Sequence, residues 1–227
     1  MEKNIVITGA NRGIGLAFAK LYLQRKGNVY ALCRHPSTEL SALQEKAASN
    51  VKVISGIDVT QDDCSDRIQQ ALKGIEVSLL INNAGILKNE TLGNMDYQSL
   101  RDQFETNSIG PIRITEAVIP FLSANAKIAM ITSRMGSITD NTSGGRYGYR
   151  MSKAALNIAS VSIAHDVKAR GIAVAILHPG LVGTDMIGGS GDLTPEQAAE
   201  RLIQRIDALT LENSGTFWHS NGEILPW

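Results

Sequence analysis

Thr8-Gly9-Ala10-Asn11-Arg12-Gly13-Ile14-Gly15 is the stretch on which the reading of this chain turns. It follows a short apolar run, Ile5-Val6-Ile7, and leads into Leu16–Leu23, where apolar residues recur at helical spacing. The order is therefore strand, glycine-rich turn, helix. Such a junction suits a phosphate, because free N–H groups and the positive end of the helix dipole point into the turn. Gly9, Gly13 and Gly15 would permit the tight turn, the close approach of a pyrophosphate and the packing of helix on strand. Three glycines in a βα turn also suit turn chemistry alone.

Outward from the turn, strand-like and helix-like segments alternate. Strands are expected over residues 28–32, 51–54, 77–81, 127–132, 172–177 and 216–219. Helices are expected over 39–48, 61–73, 95–105, 111–122, 147–169 and 195–209, with Pro111 as a first helical residue. The strands are apolar without polar alternation, which means a sheet buried on both faces, hence parallel strands joined by right-handed helical crossovers. The expected fold is a doubly wound α/β Rossmann fold of about seven strands, one domain over residues 1–227.

Ligands in such sheets bind beyond the carboxyl ends of the strands. Those ends carry Thr8-Gly9, Arg34, Asp58, Asn82-Asn83-Ala84-Gly85, Ser133 and His178-Pro179-Gly180. Each has a local explanation, such as an Asx turn, a helix cap or loop punctuation. Together they describe a cofactor groove. Tyr149 and Lys153 stand at i and i+4 of a helix, so the ammonium lies beside the phenol. A cation there favours the phenolate and would lower a pKa that is ordinarily about 10. Tyr147 is a rival phenol, but its i+4 partner is Met151.

The 22 basic and 22 acidic residues balance, which argues against nucleic acid or an anionic membrane as partner. No apolar run approaches the roughly 20 residues of a membrane span. Two cysteines, Cys33 and Cys64, have no metal or disulfide spacing. With a strand beginning by residue 4 and no signal peptide before it, a cytoplasmic setting is expected.

Taken in order, TGANRGIG, Asn82 to Gly85, Asn107-Ser108, Ser133, Tyr149 to Lys153 and Pro179-Gly180 resemble the short-chain dehydrogenase/reductase family over essentially the whole chain. The stretch Arg134 to Ile138 and the ending Asn221 to Trp227 further resemble the subgroup of C-factor signalling proteins and sniffer-type carbonyl reductases. The resemblance implies Tyr149 as proton donor or base, Lys153 as its partner and ribose ligand, Ser133 as the group polarising the substrate oxygen, and Asn107 holding a relay water. It implies a nicotinamide cofactor on Gly9, Asn11, Arg12, Gly13, Ile14, Arg34, Asp58, Val59, Asn83, Ala84, Gly85, Tyr149, Lys153, Pro179, Gly180 and Thr184. No metal is implied. Two departures stand out: a longer loop between Ser133 and Tyr149, and a glycine-rich segment after Gly180 that suggests a mobile cover.

An NAD-preferring enzyme usually carries an acid after the second strand. Here Ala31-Leu32-Cys33-Arg34-His35 has none, and Arg12 with Arg34 would clamp a 2′-phosphate unless they only line a solvated rim. NADP(H) is therefore expected, with a small carbonyl compound or alcohol as substrate. The function expected is carbonyl reduction or its reverse; the alternative is a regulatory or signalling dinucleotide-binding protein. Residues 111–122 and 154–167 are apolar around most of their circumference, so a homodimer, or a tetramer of dimers, would bury them. The rival is that the C-terminal segment covers this face.

Overall fold

The computed structural model describes residues 3–227. Seven strands form, β1 Asn4–Thr8, β2 Asn28–Leu32, β3 Val51–Ile54, β4 Val77–Asn82, β5 Leu122–Ile131, β6 Ala173–His178 and β7 Phe217–His219. They make one sheet in the order β3-β2-β1-β4-β5-β6-β7, with every neighbouring pair parallel. Between them run α1 Gly13–Gln24, α2 Thr38–Lys46, α3 Cys64–Leu72, α4 Tyr97–Phe104, α5 Gly110–Val118, α6 Tyr147–Val167 and α7 Pro195–Asp207. This is the doubly wound Rossmann arrangement that the apolar strands imply.

The two-residue period of a strand decides which layer each side chain enters. Ile5 and Ile7 of β1 pack with Phe18, Leu40 and Leu202 from α1, α2 and α7. Val6, between them, packs on the other side with Ile68, Ile114 and Leu156 from α3, α5 and α6. Both faces are thus dry, which is why the strands show no polar alternation.

After β1 the chain crosses to β2 on one side, and β4 pairs with β1 on the other. The order reverses there, opening a crevice above the carboxyl ends of β1 and β4. Its floor is stitched together by side chains. Thr8 Oγ1 accepts from the N–H groups of Asn83 and Ala84 at 2.9 and 3.0 Å, and Asn83 Nδ2 donates to Thr8 O at 3.1 Å. Gly15 performs the helix-on-strand role, since a Cβ there would collide with Gly9 O and with Asn83 Nδ2. Gly9 itself adopts φ +64°, a left-handed backbone that side chains resist.

Two elements depart from the sequence reading. Pro111 stands in the first turn of α5, one residue after its start at Gly110, but that helix has no free beginning. The helix that begins at Tyr97 continues through a π-helical turn, Glu105–Ile109, straight into α5. Proline lacks the N–H an α-helical bond would need, and the wider turn just before it changes the bonding register. Asn107 lies in the middle of that turn and is buried. Strand β5 begins five residues earlier than expected, at Leu122 rather than Lys127. A shift in pairing with β4 between Val77 and Leu79, and a left-handed Asn125 with φ +64°, disguise its first half.

Candidate active site

A cleft of about 610 Å³ runs along the strand ends. Gly9, Asn11, Arg12, Gly13, Ile14, Arg34, Asp58, Val59, Asn83, Ala84, Gly85, Pro179 and Thr184 line it, as do Tyr149 and Lys153. Gly180 sits behind this surface: a Cβ there would meet Leu193 Cδ1 at 3.1 Å and His219 Cε1 at 3.7 Å. Asn107 and Ser133 lie just beneath the lining, both buried.

At one end is the glycine turn. Helix α1 has no side-chain cap and no acidic residue in its first turn, so its leading N–H groups are left for a ligand. Arg12 pairs with Asp185 at 3.3 Å, both side chains largely exposed, an interaction that contributes little. The segment after Gly180 that carries Asp185 is a compact loop closed by its own backbone, including Gly183 N to Leu193 O and Asp192 N to Leu181 O, both 2.9 Å. Partial burial pushes the Asp58 carboxyl up, but bonds from the N–H and hydroxyl of Thr60 and the charges of Arg34 and Arg113 outweigh it, so its pKa stays low. Arg34 and Asp58 therefore share the far end of the cleft.

At the other end Ser133, Tyr149 and Lys153 come together. Ser133 starts a short 3₁₀ turn, Arg134–Gly136, and its Oγ accepts from Met135 N at 3.1 Å. Gly136 then lies flat against α6, where a Cβ would stand 2.7 Å from the carbonyl carbon of Lys153. No larger residue allows that approach. The Ser133 hydroxyl lies near enough to the Tyr149 phenol to pull its pKa down against the effect of burial. The Lys153 ammonium donates to Ile131 O at 2.9 Å and sits 5.8 Å from the centre of the Tyr149 ring.

The electrostatics correct one expectation. Burial pushes the Tyr149 pKa above the ordinary tyrosine value, although the nearby Ser133 hydroxyl and the Arg146 charge oppose it. Burial also brings Lys153 down to about 8. At that value the ammonium is still largely charged at neutrality, but it does not overcome the cost of burying a phenolate. The phenol stays protonated.

Asn107 clamps the site from below. Its Oδ1 accepts from Ile86 N at 2.8 Å, while Nδ2 donates to Ile86 O at 2.8 Å and to Ser152 Oγ at 3.0 Å. Both amide hydrogens are used, leaving one Oδ1 lone pair. Glu90 was invisible to sequence reasoning, since an acid in a loop reads as solvated. It is buried, accepts from Ser99 Oγ at 2.6 Å and from Gln103 Nε2 at 2.5 Å, and caps the first turn of α6 through Gly148 N at 3.2 Å. A carboxylate suits the positive end of the helix that carries Tyr149. His178 is half-buried with its ring held neutral, its pKa brought down to about 3 through burial, with His219 and Arg134 adding repulsion.

With this geometry in hand, comparison with known proteins is specific. The chain belongs to the short-chain dehydrogenase family, matching it over residues 3–195. It is 39% identical over 229 residues to the 1-hydroxy-2-glutathionyl-2-methyl-3-butene dehydrogenase of Rhodococcus sp. strain AD45, covering 98% of this chain and 99% of that one. Among solved structures it superimposes on the carbonyl reductase Sniffer of D. melanogaster with a TM-score of 0.94 at 32% identity, over the whole of both chains. It also matches the NADPH-bound carbonyl reductase from chicken fatty liver, with a TM-score of 0.90 at 31% identity, over 100% of this chain and 99% of that one. Among the described residues no group of three or more acidic, histidine or cysteine side chains could hold a metal, and no helix is long and apolar enough to cross a membrane.

Proposed function

We propose that this short-chain dehydrogenase reduces an aldehyde or ketone to an alcohol, or runs the reverse reaction, with NADP(H) in the cleft. The observation that carries this reading is the buried Ser133–Tyr149–Lys153 arrangement at one end of a cleft whose other end holds Arg12 and Arg34. The residues fit the cofactor: the uncapped start of α1 suits a pyrophosphate, and the two arginines suit a 2′-phosphate. The nicotinamide, when bound, supplies or accepts the hydride. This chain's residues do the rest. Ser133 hydrogen-bonds the substrate oxygen and polarises it. Tyr149, kept protonated by burial, gives that oxygen its proton. Lys153 orients the ribose beside the phenol, and the spare lone pair of Asn107 Oδ1 offers a water a place near the ammonium. The Rhodococcus relative is named as a dehydrogenase, so both directions belong to the reading. A panel of aldehydes and ketones with NADPH tests it: steady oxidation of NADPH with at least one class is expected, and none with any would sink the proposal.

Cofactor choice follows from the arginines. Arg34→Ala should weaken NADPH binding about 10- to 100-fold, as expected for loss of a charge-assisted contact, and leave NADH nearly unaffected. Titration of both cofactors by fluorescence checks it; an unchanged preference would show the arginine to be rim only.

The outer face of α6 presents Met151 and Ile158, 53% and 66% exposed, beside half-buried Ala155 and Ala159. Phe104 and Ile109, before α5, are 39% and 36% exposed. The C-terminal segment reaches α6 at Val161, where Leu225 joins Ile176 and Phe217, and it leaves Met151 and Ile158 exposed. We therefore retain a homodimer, or a tetramer of dimers, as the expected assembly. Sedimentation at micromolar concentration should show no monomer boundary.

A further inference from the structure

Beside the reaction centre lies a second cavity of about 570 Å³, lined by Arg134, Met135, Asp140, Arg146 and Arg150 together with the 142–144 loop. Its walls grow directly out of the catalytic elements. Arg134 follows Ser133, and Arg146 is the residue that enters α6, close enough that its charge acts on the Tyr149 phenol.

The charges do not balance. Three guanidiniums face the space against one carboxylate, Asp140, which is occupied by Arg134 at 2.5 Å. Arg134 also reaches Glu223 at 4.0 Å. Arg150 is spent on the loop, donating to Gly144 O and Gly145 O at 3.3 and 3.2 Å and to Ser143 Oγ at 2.9 Å. Arg146 is different. Its guanidinium makes only a long contact to Met135 Sδ at 3.7 Å, with no carboxylate among the described residues within ion-pair distance. Its backbone is left-handed, φ +50°, a conformation that costs about 1–2 kcal/mol for a residue with a side chain. Glycine would fill that position without strain, as Gly144 and Gly145 do just before it with φ +62° and +64°. The fold tolerates an unfavourable residue at the one place that aims a spare guanidinium into the cavity.

Resting on the carbonyl-reductase reading, we infer that this cavity is a subsite for a carboxylate carried by the substrate at a distance from its carbonyl group. The carbonyl would meet Ser133 and Tyr149 while the anionic end pairs with Arg146, Arg150 supplying a second positive charge and Ser143 and Thr142 further donors. The substrate class is then an oxo-acid, or a larger conjugate with a free carboxylate, in preference to a neutral aldehyde or ketone.

Straight-chain aldehydes ending in a carboxylate, each compared with its methyl ester, test this across chain lengths. In the wild type kcat/KM for the acid should exceed that of the ester about 10- to 100-fold at the best length. Arg146→Gly, which relieves the backbone strain and so keeps the fold, should bring that ratio to near one, and Arg146→Lys should restore part of it. A ratio near one in the wild type at every length, or one unchanged in Arg146→Gly, overturns the subsite. If no aldehyde of either kind is turned over, the carbonyl-reductase reading fails, and calorimetric titration with adipate still decides the subsite. Binding at least tenfold weaker in Arg146→Gly upholds it; equal binding, or none to the wild type, overturns it.

Discussion

Tyr149→Phe is expected to lower carbonyl reduction about 10³-fold while leaving NADPH affinity nearly unchanged, within the range a positioned proton donor contributes. The ring is buried and its aromatic body stays; only the hydroxyl is lost. Steady-state kinetics beside a fluorescence titration separates the two quantities. The direction of the pKa shift adds a second expectation. Because burial holds the phenol protonated, reductive turnover should be flat through neutrality and fall as the medium becomes alkaline. Alcohol oxidation, which needs the phenolate, should rise over that same range. A reductive rate that increased with pH, or a Phe variant with wild-type turnover, would remove Tyr149 from its role.

The second large effect concerns Lys153. Replacing it with methionine should abolish turnover and at the same time stabilise the protein without cofactor. The folded-state pKa of about 8 lies below the ordinary lysine value of 10.5, so at neutral pH the fold bears the cost of a buried ammonium. One pKa unit corresponds to about 1.4 kcal/mol, which puts that cost at roughly 3 kcal/mol. Loss of the charge-assisted bond to Ile131 O removes about 2 kcal/mol, leaving a net gain of about 1 kcal/mol. In a chain of this size that is about 2–4 °C in Tm. The sign follows from linkage. Below about pH 8 both folded and unfolded states carry the proton and the penalty is complete. From about 8 to 10.5 only the unfolded state keeps it, so wild-type stability climbs with pH and the advantage of the variant shrinks away. Thermal melts across that window check it; a Lys153→Met protein less stable than wild type at neutral pH would show the ammonium to be better satisfied than its burial implies.

Much of the fold is legible because it depends on local pattern. Ile5-Val6-Ile7, Leu79-Leu80-Ile81 and Val174 to Leu177 are dry on both sides, and such runs admit little besides a covered parallel sheet. The glycine turn and the i, i+4 relation of Tyr149 to Lys153 are equally local. What escaped depends on groups distant in sequence. The π-turn around Asn107 has no periodic signature, and Pro111 after it imitates a helix start. The early half of β5 is hidden by Asn125 and a shifted pairing. Glu90 becomes a helix cap only when the fold brings it to Gly148, fifty-eight residues along the chain. The Tyr149 shift was misjudged for a related reason, since the sequence displays the neighbouring cation but not the depth of burial that outweighs it. Arg146 gives no sequence signal at all; its left-handed backbone and unpaired charge exist only in the folded loop.

The most direct test of the central claim follows the hydride itself. NADPH carrying deuterium at the transferred position should be incubated with the protein and the best carbonyl substrate, and the alcohol examined by mass spectrometry. The structure's arrangement predicts an alcohol with one deuterium on the former carbonyl carbon, formed over many turnovers by the wild type and strongly reduced in Tyr149→Phe. An alcohol without deuterium, or labelled product formed equally by both proteins, would contradict it.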